Sequence, residues 1–242
     1  MVKLHLTLPA GIYCAILSAL VLSVSMMFPI VLAQTNNNGH SFLAPGSKPF
    51  GKTYGEWSAA FWQWIISAPS DKNPSNVNDN TGKYCSKGQS GPVWFLPLVF
   101  SGDAVKTCNI PSGKTILFPV VVGECSTAEY PQYKTESELR KCAKDQADKD
   151  TSMDATIDGK KISDLQKYRT QSPLFQVNFP NNNVFSAAAG PSNAVADGVL
   201  LLVSSLPPGK HQLQVSTRTV DFTSTATVTD AGTTTYNLDV MK

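Results

Sequence analysis

The sequence predicts a mainly β domain: two antiparallel sheets packed as a sandwich of jelly-roll or immunoglobulin-like kind, with a buried Trp-rich helix near its start and a second helix on its surface. Three observations carry this. The C-terminal third alternates apolar and polar residues with period two, as in Leu213 and Val215 against Gln212 and Gln214. About nine or ten short strand-like segments are separated by turn residues. Helical periodicity follows Thr53-Tyr54-Gly55-Glu56 and Thr135-Glu136-Ser137-Glu138, each with the Thr-x-x-Glu spacing of a capping box.

The chain opens with Lys3 and an apolar run from Leu4 to Leu32 that closes on Val31-Leu32-Ala33. This is the pattern of a signal peptide, residues 1–33. Ile12 to Phe28 is also long enough for most of a membrane span, so a retained N-terminal anchor is the competing expectation. Pro29, the small Ala33 and the lack of a following basic cluster favour cleavage. Either reading places the rest of the chain outside the cytoplasm, secreted or otherwise extracytoplasmic, and on a membrane only if the leader is kept.

The whole chain carries 20 basic and 18 acidic side chains; residues 1–33 hold one lysine and no acid, which leaves 19 against 18 in the remaining 209 residues. That near balance gives no electrostatic ground for a nucleic-acid or anionic-membrane partner. The length suits a single domain, 53–242, preceded by a flexible lead-in, 34–52, rich in Asn, Gly, Ser and Pro.

Four cysteines follow the leader: Cys85, Cys108, Cys125 and Cys142. An even count in an oxidising compartment predicts two disulfides, and chain order favours Cys85 with Cys108 and Cys125 with Cys142, each closing a short loop for about 3 kcal/mol in the chain-entropy model. A four-thiolate zinc site is the alternative, but zinc frameworks bring ligands in close pairs and no two of these cysteines are near neighbours, so no metal is expected.

Thr53 caps a helix that should run to about Ala68, before Pro69. At 100° per residue its apolar side chains, including Tyr54, Trp57, Phe61, Trp62, Trp64, Ile65 and Ile66, cover about half the circumference, which predicts burial. Aromatics at this spacing read first as core; Trp62 and Ile66, at the edge of the arc, are placed to reach a surface groove, with Trp62 the candidate for binding there. Residues 73–90 read as a loop pinned by Cys85. Strands are expected over Pro92–Leu98, Val105–Ile110 and Lys114–Val122, the last two joined by the turn Pro111-Ser112-Gly113.

The second helix, from Thr135, sets Leu139, Cys142, Ala143 and Ala147 on a narrow inward face and charges elsewhere. Asp158-Gly159 then marks a hairpin turn, which accounts for Asp158 without catalysis. Val199–Val203 is a buried strand. After the turn at Pro207-Pro208-Gly209-Lys210, strands are expected around His211–Val215, Val220–Val228 and Tyr236–Val240.

Several segments together resemble a family of uncharacterised exported bacterial and archaeal proteins: Tyr54-Gly55-Glu56-Trp57-Ser58-Ala59-Ala60-Phe61-Trp62-Gln63-Trp64, Gly91-Pro92-Val93-Trp94-Phe95-Leu96, Lys114 to Val120 with Gly123-Glu124-Cys125-Ser126, and Ala196-Asp197-Gly198 followed by Leu206 to His211. The resemblance covers most of the chain after the leader and implies an exported single domain. It implies no activity and no site residue.

Two histidines outside the leader, His40 and His211, are too few for a zinc-protease or cupin-like ligand set, and no G-x-S-x-G elbow or Gly-rich phosphate loop is present. No cofactor is expected. Catalysis, if any, would rest on Glu124 with Glu129, or on Glu124, Asp197 and His211 together, with Glu124 made a general acid by burial and two carboxylates serving glycoside hydrolysis. Each residue also has a structural explanation: an ion pair for Glu124, the turn at Asp197-Gly198, and a backbone partner for an inward His211. The sequence therefore favours a non-catalytic binding or structural protein at the cell surface, for glycan, envelope or protein, over an exported glycosidase-like hydrolase built around Glu124.

Overall fold

The computed structural model describes residues 33–35 and 40–242, apart from 77, 80 and 222–226. The expected leader, Ala33 excepted, lies outside the described residues. Two helices are flanked by short and long strands: β1 (Ala33–Thr35), β2 (Ser41–Leu43), α1 (Tyr54–Ser67), β3 (Val93–Phe95), β4 (Ala104–Pro111), β5 (Thr115–Ser126), α2 (Glu136–Ala147), β6 (Asp150–Ile157), β7 (Lys160–Lys161), β8 (Arg169–Gln171), β9 (Phe175–Phe179), β10 (Gly190–Val203), β11 (Gly209–Asp221) and β12 (Thr227–Met241).

The strands form two sheets, as a sandwich requires. The first has the order β1-β2-β10-β5-β3, and the second β4-β12-β11-β6-β7. In the first, β5 pairs along one edge of β10 from Ala194 to Val203. The other edge of β10 is served in relay, by β9 opposite Gly190–Ala194, β8 opposite Asp197–Val199, and β2 at Val203. Both β5 and β10 are buried along most of their length, as their unbroken apolar runs require.

The sheets are not purely antiparallel as the sequence suggested. β3 runs parallel to β5, and β4 runs parallel to β12. The reason lies in the Pro111-Ser112-Gly113 turn: it joins β4 in the second sheet to β5 in the first, so β4 does not hairpin with its successor and takes the free edge of β12 instead. The expected separate strands after His211 are also fewer and longer. One long hairpin, β11 with β12, pairs Gly209 with Val240 and continues to Asp221 with Thr227.

The lead-in is corrected too. Within 34–52, Gln34 and Thr35 belong to β1, Ser41–Leu43 form β2, and Pro49–Gly51 make a single 3-10 turn. Phe42 and Leu43 are buried, so their apolar side chains anchor a segment whose Asn- and Gly-rich surroundings signal a loop.

α1 begins where the capping box places it: the Glu56 backbone N–H donates to Thr53 Oγ1 (3.2 Å) and the Thr53 backbone N–H to Glu56 Oε2 (2.7 Å). Its apolar arc is buried and Glu56, Gln63 and Ser67 are exposed. The same box opens α2 at Thr135 and Glu138. α2 lies so close on β5 that a Cβ on Gly123 would stand 2.2 Å from the Ala143 carbonyl oxygen. The Cys125–Cys142 disulfide ties the same two elements, and Cys85–Cys108 links the 73–90 loop to β4. A shared core joins Ile116, Phe118 and Leu200 of the first sheet to Ile157, Leu213 and Tyr236 of the second. Each such side chain contributes about 1.5–3 kcal/mol by burial. No described helix is long and apolar enough to cross a membrane.

Candidate functional site

Glu124 stands near the end of β5, opposite Ala196 in register, and Ser126 opposite Ala194; these small partners leave room for polar side chains on that face. Glu124 is buried, and its Oε1 has no hydrogen-bond partner. Burial, then the neighbouring Glu129 charge and a hydrogen bond with that carboxylate, push the Glu124 carboxyl well above the usual range. Glu129 is fixed in turn: Ser126 Oγ donates to Glu129 Oε2 at 2.6 Å, and the Glu129 backbone N–H donates to Ser126 Oγ at 3.3 Å. Burial and these two acids also raise the Tyr130 hydroxyl above its ordinary value.

This is the carboxyl pair the sequence put forward, with burial favouring the protonated form of Glu124. Glu129 is satisfied by Ser126, whereas Glu124 Oε1 is left without a partner. Hydrolysis of a glycoside needs two carboxyls about 5–9 Å apart with the sugar between them, whereas Glu129 is already engaged by the Ser126 hydroxyl.

Asp197 and His211 do not join Glu124. Asp197 pairs with Gly123 in register, one position along from the Ala196–Glu124 pair, so it points to the opposite face of the sheet. There it accepts from Arg169 Nε at 2.8 Å and Gln171 Nε2 at 3.1 Å, while Arg169 also pairs with Asp148 at the end of α2. His211 lies in the second sheet. Its Nδ1 is 2.8 Å from Asp158 Oδ2 and its Nε2 is 2.9 Å from the Pro207 carbonyl oxygen, and His40 Nε2 approaches the same Asp158 oxygen at 3.5 Å. Asp158 has the left-handed backbone its turn demands, φ +50 beside Gly159 at +72. It also accepts from the Gln212 backbone N–H at 2.9 Å. Burial opposes its charge, but the His211 and Gln212 hydrogen bonds outweigh that and hold the carboxyl below its ordinary value.

Sequence reasoning missed the Asp158–His40–His211 cluster, because its members lie 53 residues or more from one another except through the fold. It also missed Arg169 as the partner of Asp197. Among the described residues no group of three or more His, Cys, Asp or Glu is placed to hold a metal.

Trp62 and Ile66 are buried rather than exposed on a surface groove, yet Trp62 lines a cleft of about 260 Å³ between the sheets. Pro119, Val120 and Val122 of β5 and Tyr236 of β12 give the apolar part of this cleft, and Thr217, Thr219 and Thr234 its hydroxyl part. Along β11, every second residue from Leu213 passes from apolar to Thr, so the inner face of the second sheet turns polar as the sandwich opens. A strap, residues 98–102, closes one side and approaches β12 so nearly that a Cβ on Gly232 would stand 2.2 Å from the Gly102 carbonyl oxygen. Phe100 on this strap meets Phe185 edge-on at 5.6 Å, and Phe185 meets Trp62 at 6.3 Å. The Trp62 indole N–H is buried without a hydrogen-bond partner, and Lys149 and Asp150 stand among the lining residues.

No protein-family model matches the sequence, and no curated protein matches it. Among solved structures, the chain is similar to one described as PbICP-C in complex with falcipain-2, at 11% identity over 62% of this chain and 100% of that one, with a TM-score of 0.23. A likeness at that score carries no inference here.

Proposed function

We propose that this chain is an exported, disulfide-bonded binding protein that takes a short glycan in the inter-sheet cleft. The observation that carries the reading is the Trp62 indole N–H: a buried donor without an acceptor costs about 1–3 kcal/mol, and here it belongs to a ring that lines the cleft, so that a ligand oxygen reaching it as the lining side chains shift would offset that cost. An apolar floor with hydroxyls on one wall suits a sugar, which has an apolar ring face and polar edges. The two disulfides and the apolar first 33 residues support an oxidising, extracytoplasmic setting. The glycosidase-like alternative has less support, because Glu129 is engaged with Ser126 and neither acid is among the residues lining the cleft.

A melting-temperature screen of the protein against envelope and plant-type glycans tests this, since a ligand of the native state alone raises stability. A hit is expected to lose its shift in Trp62→Phe, which keeps an aromatic ring and removes the N–H. Shifts that persist undiminished in Trp62→Phe would reject the cleft as the site.

A further inference from the structure

A second hollow, of about 670 Å³, lies on the outer side of α1, away from the residues of the inter-sheet cleft. Trp57, Ala60 and Trp64 of α1, with Phe95 and Phe50, give it an aromatic lining. Phe50 is more than half exposed and sits at φ +54, ψ +31, a backbone region disfavoured for any residue with a side chain. Strained and exposed, it is held edge-on to Trp57 at 6.3 Å, which keeps an apolar ring at the mouth where solvent alone would not favour one.

Four polar side chains of this lining are already committed within the protein. Trp57 Nε1 donates to the Pro49 carbonyl, Trp64 Nε1 to the Lys87 carbonyl, Gln63 Nε2 to the Gln176 carbonyl, and Ser67 Oγ to the Trp64 carbonyl. Such a wall has little to offer the hydroxyls of a sugar or the backbone of a peptide. What remains is the exposed Phe50 ring with the edges of Trp57, Trp64 and Phe95, the Ser90 hydroxyl, and three ammonium groups, Lys52, Lys72 and Lys87, with no carboxylate among the described lining residues. Lys52 Nζ sits 5.1 Å from the centre of the Trp57 ring. Lys114 adds a fourth charge at the edge, donating to the Gly91 carbonyl.

We propose that this groove binds a single-chain anionic amphiphile, an alkyl chain lying on the Trp57, Trp64 and Phe95 rings with its carboxylate among Lys52, Lys72 and Lys87. The site is separate from the glycan reading and stands or falls without it. The test is calorimetric titration of the protein with laurate below its critical micelle concentration, with dodecyltrimethylammonium as the cation of equal chain length and phosphatidylglycerol vesicles as a membrane arm. Laurate is expected to saturate one site, to bind more tightly than the cation, and to bind roughly tenfold more weakly in Lys52→Glu/Lys72→Glu/Lys87→Glu at an unchanged melting temperature. Phe50→Ala, which touches no charge, is expected to weaken laurate as well and keeps the test decisive if the triple variant does not fold. Absence of saturable binding, equal affinity for the cation, variants that bind as the parent does, or association with the vesicles alone would each overturn the proposal.

Discussion

At the end of β5, Glu124 is buried and feels the neighbouring Glu129 charge, beside the disulfide that holds α2. Between the sheets, Trp62 and the threonines of β11 and β12 line a cleft whose one carboxylate among the described lining residues, Asp150, accepts from the Thr219 hydroxyl at 2.5 Å. The first region has a strongly shifted acid that is not among the residues lining the cleft. The second has space and an unpaired donor, and its acid is engaged. A perturbed carboxyl marks an active site only when it faces a cavity, and here titration and access are in different places. That separation is why binding, rather than hydrolysis, is the better-supported reading.

The largest effect that separates the two regions should come from the covalent tie of α2. Cys125→Ala/Cys142→Ala removes a link between residues 17 apart, and chemical denaturation should show a loss of about 2–4 kcal/mol. α2 carries a thin apolar face of Leu139, Cys142, Ala143 and Ala147, so the loss should appear as faster amide exchange in α2 and β5 while α1 stays protected. Equal exposure of α1 would show that the two regions are one cooperative unit.

Next in size is the acid pair. A carboxyl raised in the folded state binds its proton more tightly there than in the unfolded chain. Its contribution is present below the ordinary 4.5 and is lost as pH rises through the folded value. Glu124→Gln keeps the neutral form at every pH. It should therefore match the parent in acid and exceed it in melting temperature at neutral pH and above. A Gln variant that is less stable at neutral pH would mean that the ionised carboxylate is the native form.

Trp62→Phe is the corresponding test at the cleft. Stability should move by no more than about 1.5 kcal/mol, since a ring is kept and the lost N–H had no partner. Affinity for a glycan hit should fall by about tenfold, the worth of one hydrogen bond at about 1.4 kcal/mol.

The smallest effect is reserved for the third cluster, which serves as a control on both. Asp158 is held below its ordinary 3.8, so its contribution is present above that value and is lost as pH falls through the folded one. Asp158→Asn should cost about 1 kcal/mol at neutral pH and nothing in strong acid, with no change at either the acid pair or the cleft. A change in glycan affinity would extend the functional region to the second sheet's hairpin.

Short-range signals made the local elements legible in the sequence. Thr53 with Glu56 and Thr135 with Glu138 placed both helix starts, Asp158-Gly159 placed a turn, and chain order gave both disulfides. Pairings set by the crossing of the chain between sheets left no local trace: β4 reads as any alternating strand, and nothing in Ala104–Pro111 says that it runs parallel to β12. β2 was hidden because Phe42 and Leu43 are only two apolar residues in a polar stretch. At the site, the burial of Glu124 and its closeness to Glu129 were readable from five residues of sequence. The partners of Asp197 and His211 were not, since Arg169 and Asp158 come from elements brought together only by the sheets. Net charge concealed the lysines gathered around the α1 groove, because an average over the chain carries no position.

The most direct test of the claim that the cleft and not the acid pair is the functional region is amide hydrogen exchange of the protein with and without a glycan hit. The account predicts added protection in the 98–102 strap, around Thr217–Thr219 and around Gly232–Thr234, with residues 124–130 unchanged. Protection centred on Glu124 to Tyr130, together with release of a shortened glycan, would contradict it.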